Sequence, residues 1–216
     1  MDRPQRAAEL PADLRQVHQD VLRHFAATGG APGTAEISHA ATSAGLDPAG
    51  ALRDLAAADL VALDGAGRLL AAYPLSPVPT THVVTTGGVQ VFAMCAIDAL
   101  GMPFMLDTDA VITSTDPQTG DPVRIDVTEG AATFAPAEAV VVYAATGATG
   151  RSVDTCCSTI NFFASTASAR AALDLPMSGG LVPVIRYGPL PAQETAAVGT
   201  VSVRCRCRCR CRCRCR

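Results

Sequence analysis

His82-Val83-Val84-Thr85-Thr86-Gly87-Gly88-Val89-Gln90-Val91-Phe92-Ala93-Met94-Cys95-Ala96-Ile97-Asp98-Ala99-Leu100 reads as a strand, a tight turn, a second strand and the opening of a helix. The β-branched runs on either side favour extended backbone, and Gly87-Gly88 supplies the positive φ that a two-residue hairpin turn needs. Pro103 is predicted to limit the helix that follows. The stretch therefore delivers a thiol, Cys95, to a strand-to-helix junction and a carboxylate, Asp98, one helical turn beyond it. In the first turn of a helix the unpaired N–H groups and the helix dipole favour a thiolate, the form that acts as nucleophile and soft-metal ligand. At i+3 the Cβ atoms are about 5–6 Å apart, close enough for both groups to act on one small substrate and to titrate as a unit. Spacing alone allows a plainer reading: a cysteine at a strand end is commonly a small buried hydrophobe, and such an aspartate is commonly solvated.

Working outward toward the C-terminus, Ala110 to Thr113, the turn from Asp116 to Gly120, and Val123 to Val127 predict a second hairpin, and Ala139 to Ala144 a further strand. Gly147-Ala148-Thr149-Gly150-Arg151 lacks the lysine and strand–helix setting of a phosphate cradle and reads as a connection. Cys156-Cys157 follows; on a strand, adjacent side chains face opposite ways, so one of the two is expected to face a cleft and the other the core. Toward the N-terminus, Pro74, Pro77 and Pro79 mark a linker. Before it, Leu14, Val17, Val21, Leu22 and Phe25 recur at helical spacing up to Gly29-Gly30. Thr34 to Ala44 gives a second helix, and Asp47-Pro48 caps a third that turns Leu52, Leu55 and Ala56 inward. Leu60 to Leu63, the turn Asp64 to Gly67 and Leu69 to Tyr73 complete a hairpin. The predicted fold class is α+β: a winged-helix-like three-helix domain over residues 1–80, a strand-rich catalytic domain with short helices over 81–203, and a disordered Arg-Cys repeat tail over 204–216.

Nine cysteines in 216 residues suggest a disulfide scaffold until they are placed. Six of them, Cys205 to Cys215, alternate with arginine in the tail, and three body thiols suit a reducing cytoplasm. The N-terminus carries Glu9, Asp13, Arg15 and Asp20, which argues against a signal peptide, and no apolar run approaches the roughly eighteen residues of a membrane span. The tail also holds seven of the seventeen basic residues, so the body is strongly acidic against its twenty Asp and Glu. Phosphate neutralisation is thus disfavoured, and the third helix, where a winged helix reads DNA, offers only Arg53 beside Asp47, Asp54 and Asp59. No nucleic acid and no membrane are expected as partners. His18, His24, His39 and His82 lack metal-ligand spacing and are expected to be ordinary, partly exposed histidines. The tail lacks apolar periodicity and should be solvated and mobile; a repeat without a selected role explains it more simply than a metal-scavenging arm.

The segments Phe92-Ala93-Met94-Cys95-Ala96-Ile97-Asp98-Ala99-Leu100 and Asp154-Thr155-Cys156-Cys157-Ser158-Thr159-Ile160-Asn161-Phe162-Phe163-Ala164-Ser165 resemble the two signature segments of the organomercurial (alkylmercury) lyases, in the same order and at similar separation. The resemblance, which runs from about residue 10 to about residue 185, implies a cytoplasmic enzyme that cleaves carbon–mercury bonds by protonolysis. It implies no organic cofactor, an organomercurial substrate, and small thiols or a mercuric reductase to collect the product. Its roles fall on Cys95 and Cys156 as the thiolates that hold mercury and on Asp98 as proton shuttle; Cys157 is kept only as a candidate additional ligand. Asp116 stands where many family members carry an extra structural cysteine, and Met94 where an aromatic residue often precedes the catalytic cysteine. After Val184-Ile185-Arg186 an expected closing helix gives way to Tyr187-Gly188-Pro189-Leu190-Pro191. Two other classes remain at this point: a non-catalytic thiol-based heavy-metal binder, and a metal-responsive winged-helix regulator.

Overall fold

The computed structural model describes residues 7, 9–142, 157–172 and 184–185 of the chain, with only the backbone of Ser158, Val184 and Ile185. The glycine connection at 147–151, Cys156, the segment after Ile185 and the Arg-Cys tail lie outside the described residues.

Ala7 and Glu9 are helical, and among the described residues three helices of defined range follow: α1 (Ala12–Thr28), α2 (Thr34–Ser43) and α3 (Pro48–Ala57). The apolar stripe of α1 buries Leu14, Val17, Val21 and Phe25, together with His18. Gly29 closes this helix at φ 80°, and a Cβ there would stand 2.6 Å from the carbonyl oxygen of Gln90. Only glycine satisfies both the left-handed backbone and that close approach to the strand leading to Cys95. Asp47 caps α3 as predicted, its Oδ2 accepting the Gly50 N–H at 2.7 Å, with Pro48 at the first helical position.

Strands β1 (Val61–Leu63), β2 (Leu69–Ala72), β3 (Leu75–Ser76), β4 (Val83–Thr86), β5 (Val89–Ala93), β6 (Ala110–Thr115), β7 (Pro122–Thr128) and β8 (Ala131–Ala135) form one antiparallel sheet in the order β1-β2-β3-β5-β4-β6-β7-β8. The hairpin after the helices does not end at the proline segment: β3 pairs with β5, Leu75 opposite Ala93, so one sheet runs through the expected boundary near residue 80. A single apolar core joins Phe25 and Leu55 of the helices to Val84, Val91, Ile112, Ile125 and Phe162. Strand β8 was not foreseen. Its alanine-rich sequence carries no polar–apolar alternation; it pairs with β7 at the sheet edge and lays the half-buried Ala132 and Phe134 against the core.

Helix α4 (Ala96–Leu106) follows β5, and Pro103 lies inside it rather than ending it. The proline removes one N–H from the ladder, but Ala96, Ala99, Leu100, Met102 and Pro103 are all buried, and that packing outweighs the lost bond. The helix ends at Asp107, in the left-handed region at φ 51°. A second sheet has the order β10-β9-β11, from β9 (Val140–Val142), β10 (Asn161–Phe163) and β11 (Val184–Ile185). Helix α5 (Thr166–Ala172) follows β10, and Val140, Val142, Phe163 and Ala169 make a smaller apolar cluster between them. The architecture is α+β, a helical part followed by a strand-rich part, as the sequence pattern implied. Among the described residues, no helix is long and apolar enough to cross a membrane.

Candidate active site

Strand β5 ends at Ala93, and two residues later Cys95 sits at the N-cap of α4 in extended backbone, φ −158° and ψ 174°. The side chain of an N-cap residue points back at the open N–H groups of the first turn. Here Cys95 Sγ accepts the Asp98 N–H at 3.4 Å and donates its own proton to Asp98 Oδ2 at 3.2 Å. The sulfur thus caps the Asp98 N–H as an N-cap hydroxyl would, while the Asp98 carboxylate accepts the thiol proton rather than a backbone N–H.

The third member arrives from the far side of the sequence. Cys157 opens a 3-10 turn, Cys157–Thr159, that leads into β10. The Ala96 N–H, in the first turn of α4, donates to the Ile160 carbonyl at 3.1 Å and ties this turn directly to the helix that carries Asp98. One ligand atom each from Cys95, Asp98 and Cys157 lie within 4.8 Å of one another. Both cysteines are buried, Cys95 at 1% exposure and Cys157 at 3%, whereas Asp98 is half-buried. Neither cysteine is in a disulfide.

These positions change two expectations. Among the described residues, the cysteine that meets Cys95 and Asp98 is Cys157, which lies in a turn rather than on a strand, while Cys156, the expected partner of Cys95, lies outside the described residues. The small polar run Cys157-Ser158-Thr159 was the available signal for a turn. Nor does the helix start leave Cys95 a ready thiolate. The hydrogen bond with Cys157, burial, and the negative charge of Asp98 together push its pKa well above the ordinary thiol value; the Asp98 N–H opposes them and is outweighed. At neutral pH Cys95 holds its proton.

Other buried polar groups of the fold also depart from the sequence expectation. His82 is 3% exposed and His18 5%, so neither is a surface histidine, whereas His24 is half-buried and His39 exposed. Burial lowers the pKa of both His18 and His82 to about 4. Asp116 is fully buried and its oxygens accept N–H bonds from Gln118 at 2.8 Å, Thr119 at 3.3 Å and Ala164 at 2.7 Å. Burial alone would raise its pKa, but the Ser168 hydroxyl and these backbone donors hold it below the usual carboxylate value. A charged side chain therefore fastens the end of β10 to the turn between β6 and β7, at the position where relatives are expected to use cysteine.

Comparison with known proteins points the same way. A family model described as MerB, alkylmercury lyase, matches residues 75–175, the stretch that holds all three site residues. Alkylmercury lyases from Bacillus cereus and Clostridium butyricum are each 30% identical over 125 residues, 57% of this chain and 57% of theirs. One from Streptomyces lividans is 32% identical over 111 residues, 51% of this chain and 52% of its own. The chain thus spans little more than half the length of the curated relatives it matches. The crystal structure of the mercury-bound form of MerB2 shares the fold, with a TM-score of 0.65 and 22% identity over 80% of this chain and 84% of that one. With its cysteine–aspartate helix start and its second thiol both inside the matched stretch, residues 75–175, the chain resembles the alkylmercury lyases over just under half of its length.

Proposed function

We propose that the chain is an organomercurial lyase that cleaves carbon–mercury bonds by protonolysis, with Cys95 and Cys157 gripping the metal and Asp98 moving the proton. The observation that carries this reading is the hydrogen bond from Cys95 Sγ to Asp98 Oδ2 at 3.2 Å beside a second buried thiol. A site that only bound mercury would need the two sulfurs and gain nothing from a carboxylate hydrogen-bonded to one of them.

The chemistry balances with two thiols and one carboxylate. An alkylmercury thiolate offers its metal to Cys157, whose sulfur takes the mercury as its proton leaves on the displaced thiol. Cys95 then coordinates the same ion and hands its proton to Asp98 along the existing hydrogen bond. Two soft thiolates donating into mercury load negative charge on the attached carbon. Asp98 protonates that carbon as general acid, the Hg–C electron pair becomes the C–H bond, and the hydrocarbon departs. Asp98 returns to the carboxylate form and mercury remains as a bis-thiolate. Release requires an outside acceptor, a small cellular thiol or a mercuric reductase, and no organic cofactor takes part in any step. Such chemistry and free body thiols suit the cytoplasm. The expectation of no nucleic acid partner is supported by α3, where Arg53 faces Asp47 at 3.9 Å and stands among acidic groups.

The test is a single turnover with phenylmercury or methylmercury in excess thiol, read as benzene or methane in the headspace. Asp98→Ala should retain the organomercurial and lose at least ~100-fold in hydrocarbon release, the usual scale of a removed general acid. Equal release by variant and parent would exclude the proton-shuttle role, and binding without any release by the parent would leave a heavy-metal-binding protein.

A further inference from the structure

The two sulfurs come from segments about sixty residues apart, and a metal held between them needs their separation fixed. His82, just ahead of β4, touches both arms. Its backbone carbonyl accepts the Ala93 N–H at 2.9 Å, two residues before Cys95. Its ring Nδ1 is 2.9 Å from Ser114 Oγ on β6, the Asn161 side chain is hydrogen-bonded to the ring, and the ring meets Phe162 edge-on with centroids 5.6 Å apart at 71°. Asn161 and Phe162 are the first two residues of β10, the strand that Cys157 leads into.

A neutral imidazole carries one donor and one acceptor, which suits two flanking groups, a hydroxyl and an amide, that can each play either part. An apolar residue of the same size would fill the space and leave Ser114 and Asn161 without that partner, a cost that falls on the join between β6 and β10. The ring is 3% exposed, so no water substitutes for it.

Resting on the reading of Cys95 and Cys157 as a mercury-binding pair, we infer that His82 is a positioning residue that sets their separation, its main chain holding the Cys95 arm and its ring the Cys157 arm. It touches neither sulfur in the reaction; it determines whether both reach one ion.

The probe is mercuric ion itself, so the measurement needs no carbon–mercury cleavage. The background is full-length protein with the six tail cysteines changed to serine and Cys156 kept, and the readout is retention of one Hg(II) against increasing dithiothreitol, well below the melting temperature. His82→Phe keeps the ring and the Phe162 contact but loses both hydrogen bonds, and it should weaken retention about 10–100-fold, the scale seen when groups that orient metal ligands are removed. His82→Gln, which can still bond Ser114 or Asn161, should recover part of that loss. A merely structural role would lower the melting temperature of His82→Phe and leave retention by the folded protein unchanged, which would overturn the inference. If His82→Phe does not fold, Ser114→Ala carries the same test, with retention equal to the parent as the refuting result. Failure of the underlying reading looks different: Cys157→Ser would then cost the parent nothing, and the inference would fall with it.

Discussion

Acidification should weaken the fold before its carboxylates titrate, and the two buried histidines set the size of the effect. His18 and His82 are folded with pKa about 4, against 6.5 for a free side chain. The folded pKa is the lower one, so the unfolded chain binds more protons between the two values and stability rises with pH across that window. Read downward, stability is intact at pH 7, begins to fall near 6.5 and continues to fall to about 4. A shift of roughly 2.5 units corresponds to about 3 kcal/mol per histidine by pH 4, and about 2 kcal/mol each at pH 5. Together they remove about 4 kcal/mol at pH 5, a large part of the 5–15 kcal/mol that holds an ordinary domain folded. The assay is urea denaturation at pH 7, 6 and 5, where the slope should approach ~2.7 kcal/mol per pH unit between 6 and 5. His18→Leu should halve that slope and raise stability at pH 5, because His18 Nε2 is buried without a hydrogen-bond partner among the described residues and nothing polar is abandoned. Asp116 does not blur the window: its depressed pKa gives stability that is present above the ordinary carboxylate value and lost only as pH falls below it. Stability that stays level from pH 6.5 to 5, or increases as acid is added, would refute the argument.

Other outcomes follow from single residues. Asp116→Ala strands the buried Ala164 N–H and removes two part-buried turn bonds to Gln118 and Thr119, and should cost about 2 kcal/mol in urea denaturation; a loss under ~1 kcal/mol would mean that β10 is held by other contacts. Because Cys95 keeps its proton and is 1% exposed, iodoacetamide at pH 8 should label it at least ~10-fold more slowly than a small free thiol, followed by mass spectrometry of the Cys95 peptide. Labelling at the free-thiol rate would contradict the upward shift. Asp47→Ala removes the α3 cap and should cost about 1 kcal/mol while leaving hydrocarbon release at the parent rate.

What the sequence disclosed and what it hid follow from how local each determinant is. The helix caps at Gly29 and Asp47 and the hairpin at Gly87-Gly88 depend on a few neighbouring residues, and all are found where the pattern placed them. The Cys95–Asp98 contact is equally local, a matter of one helical turn, and it was legible for that reason. Strand β8 depends on pairing with the edge of β7 and on the core that Ala132 and Phe134 meet, and α4 runs through Pro103 only because its surroundings are apolar; both are tertiary effects that a window of residues does not contain. That Cys157 reaches Cys95 depends on a turn held by the Ala96–Ile160 bond, a contact between segments about sixty residues apart that the local sequence does not contain. The burial of His82 depends on β6 and β10 closing over it from opposite directions in the chain.

The raised pKa of Cys95 looks like a handicap for a nucleophile, yet in the proposed reaction it is what keeps the proton accounting closed. A thiolate formed in advance would have released its proton to solvent, and Asp98 would have to recover one while the carbanion developed. With Cys157, burial and the Asp98 charge all resisting ionisation, the proton stays on sulfur until something displaces it. Mercury can do so because a soft cation gains more from a thiolate than the proton does. The displaced proton has a carboxylate oxygen 3.2 Å away, so its transfer to Asp98 follows metal capture rather than preceding it. Acid and nucleophile are then armed by one event, which confines protonation to a carbon already attached to bound mercury. The same reasoning makes Asp98→Asn more informative than alanine: the amide preserves the volume and can accept the S–H, but it cannot carry the proton onward. Mercury capture should survive in that variant while hydrocarbon release falls to the Asp98→Ala level, and release at the parent rate would mean that the proton reaches carbon by another route.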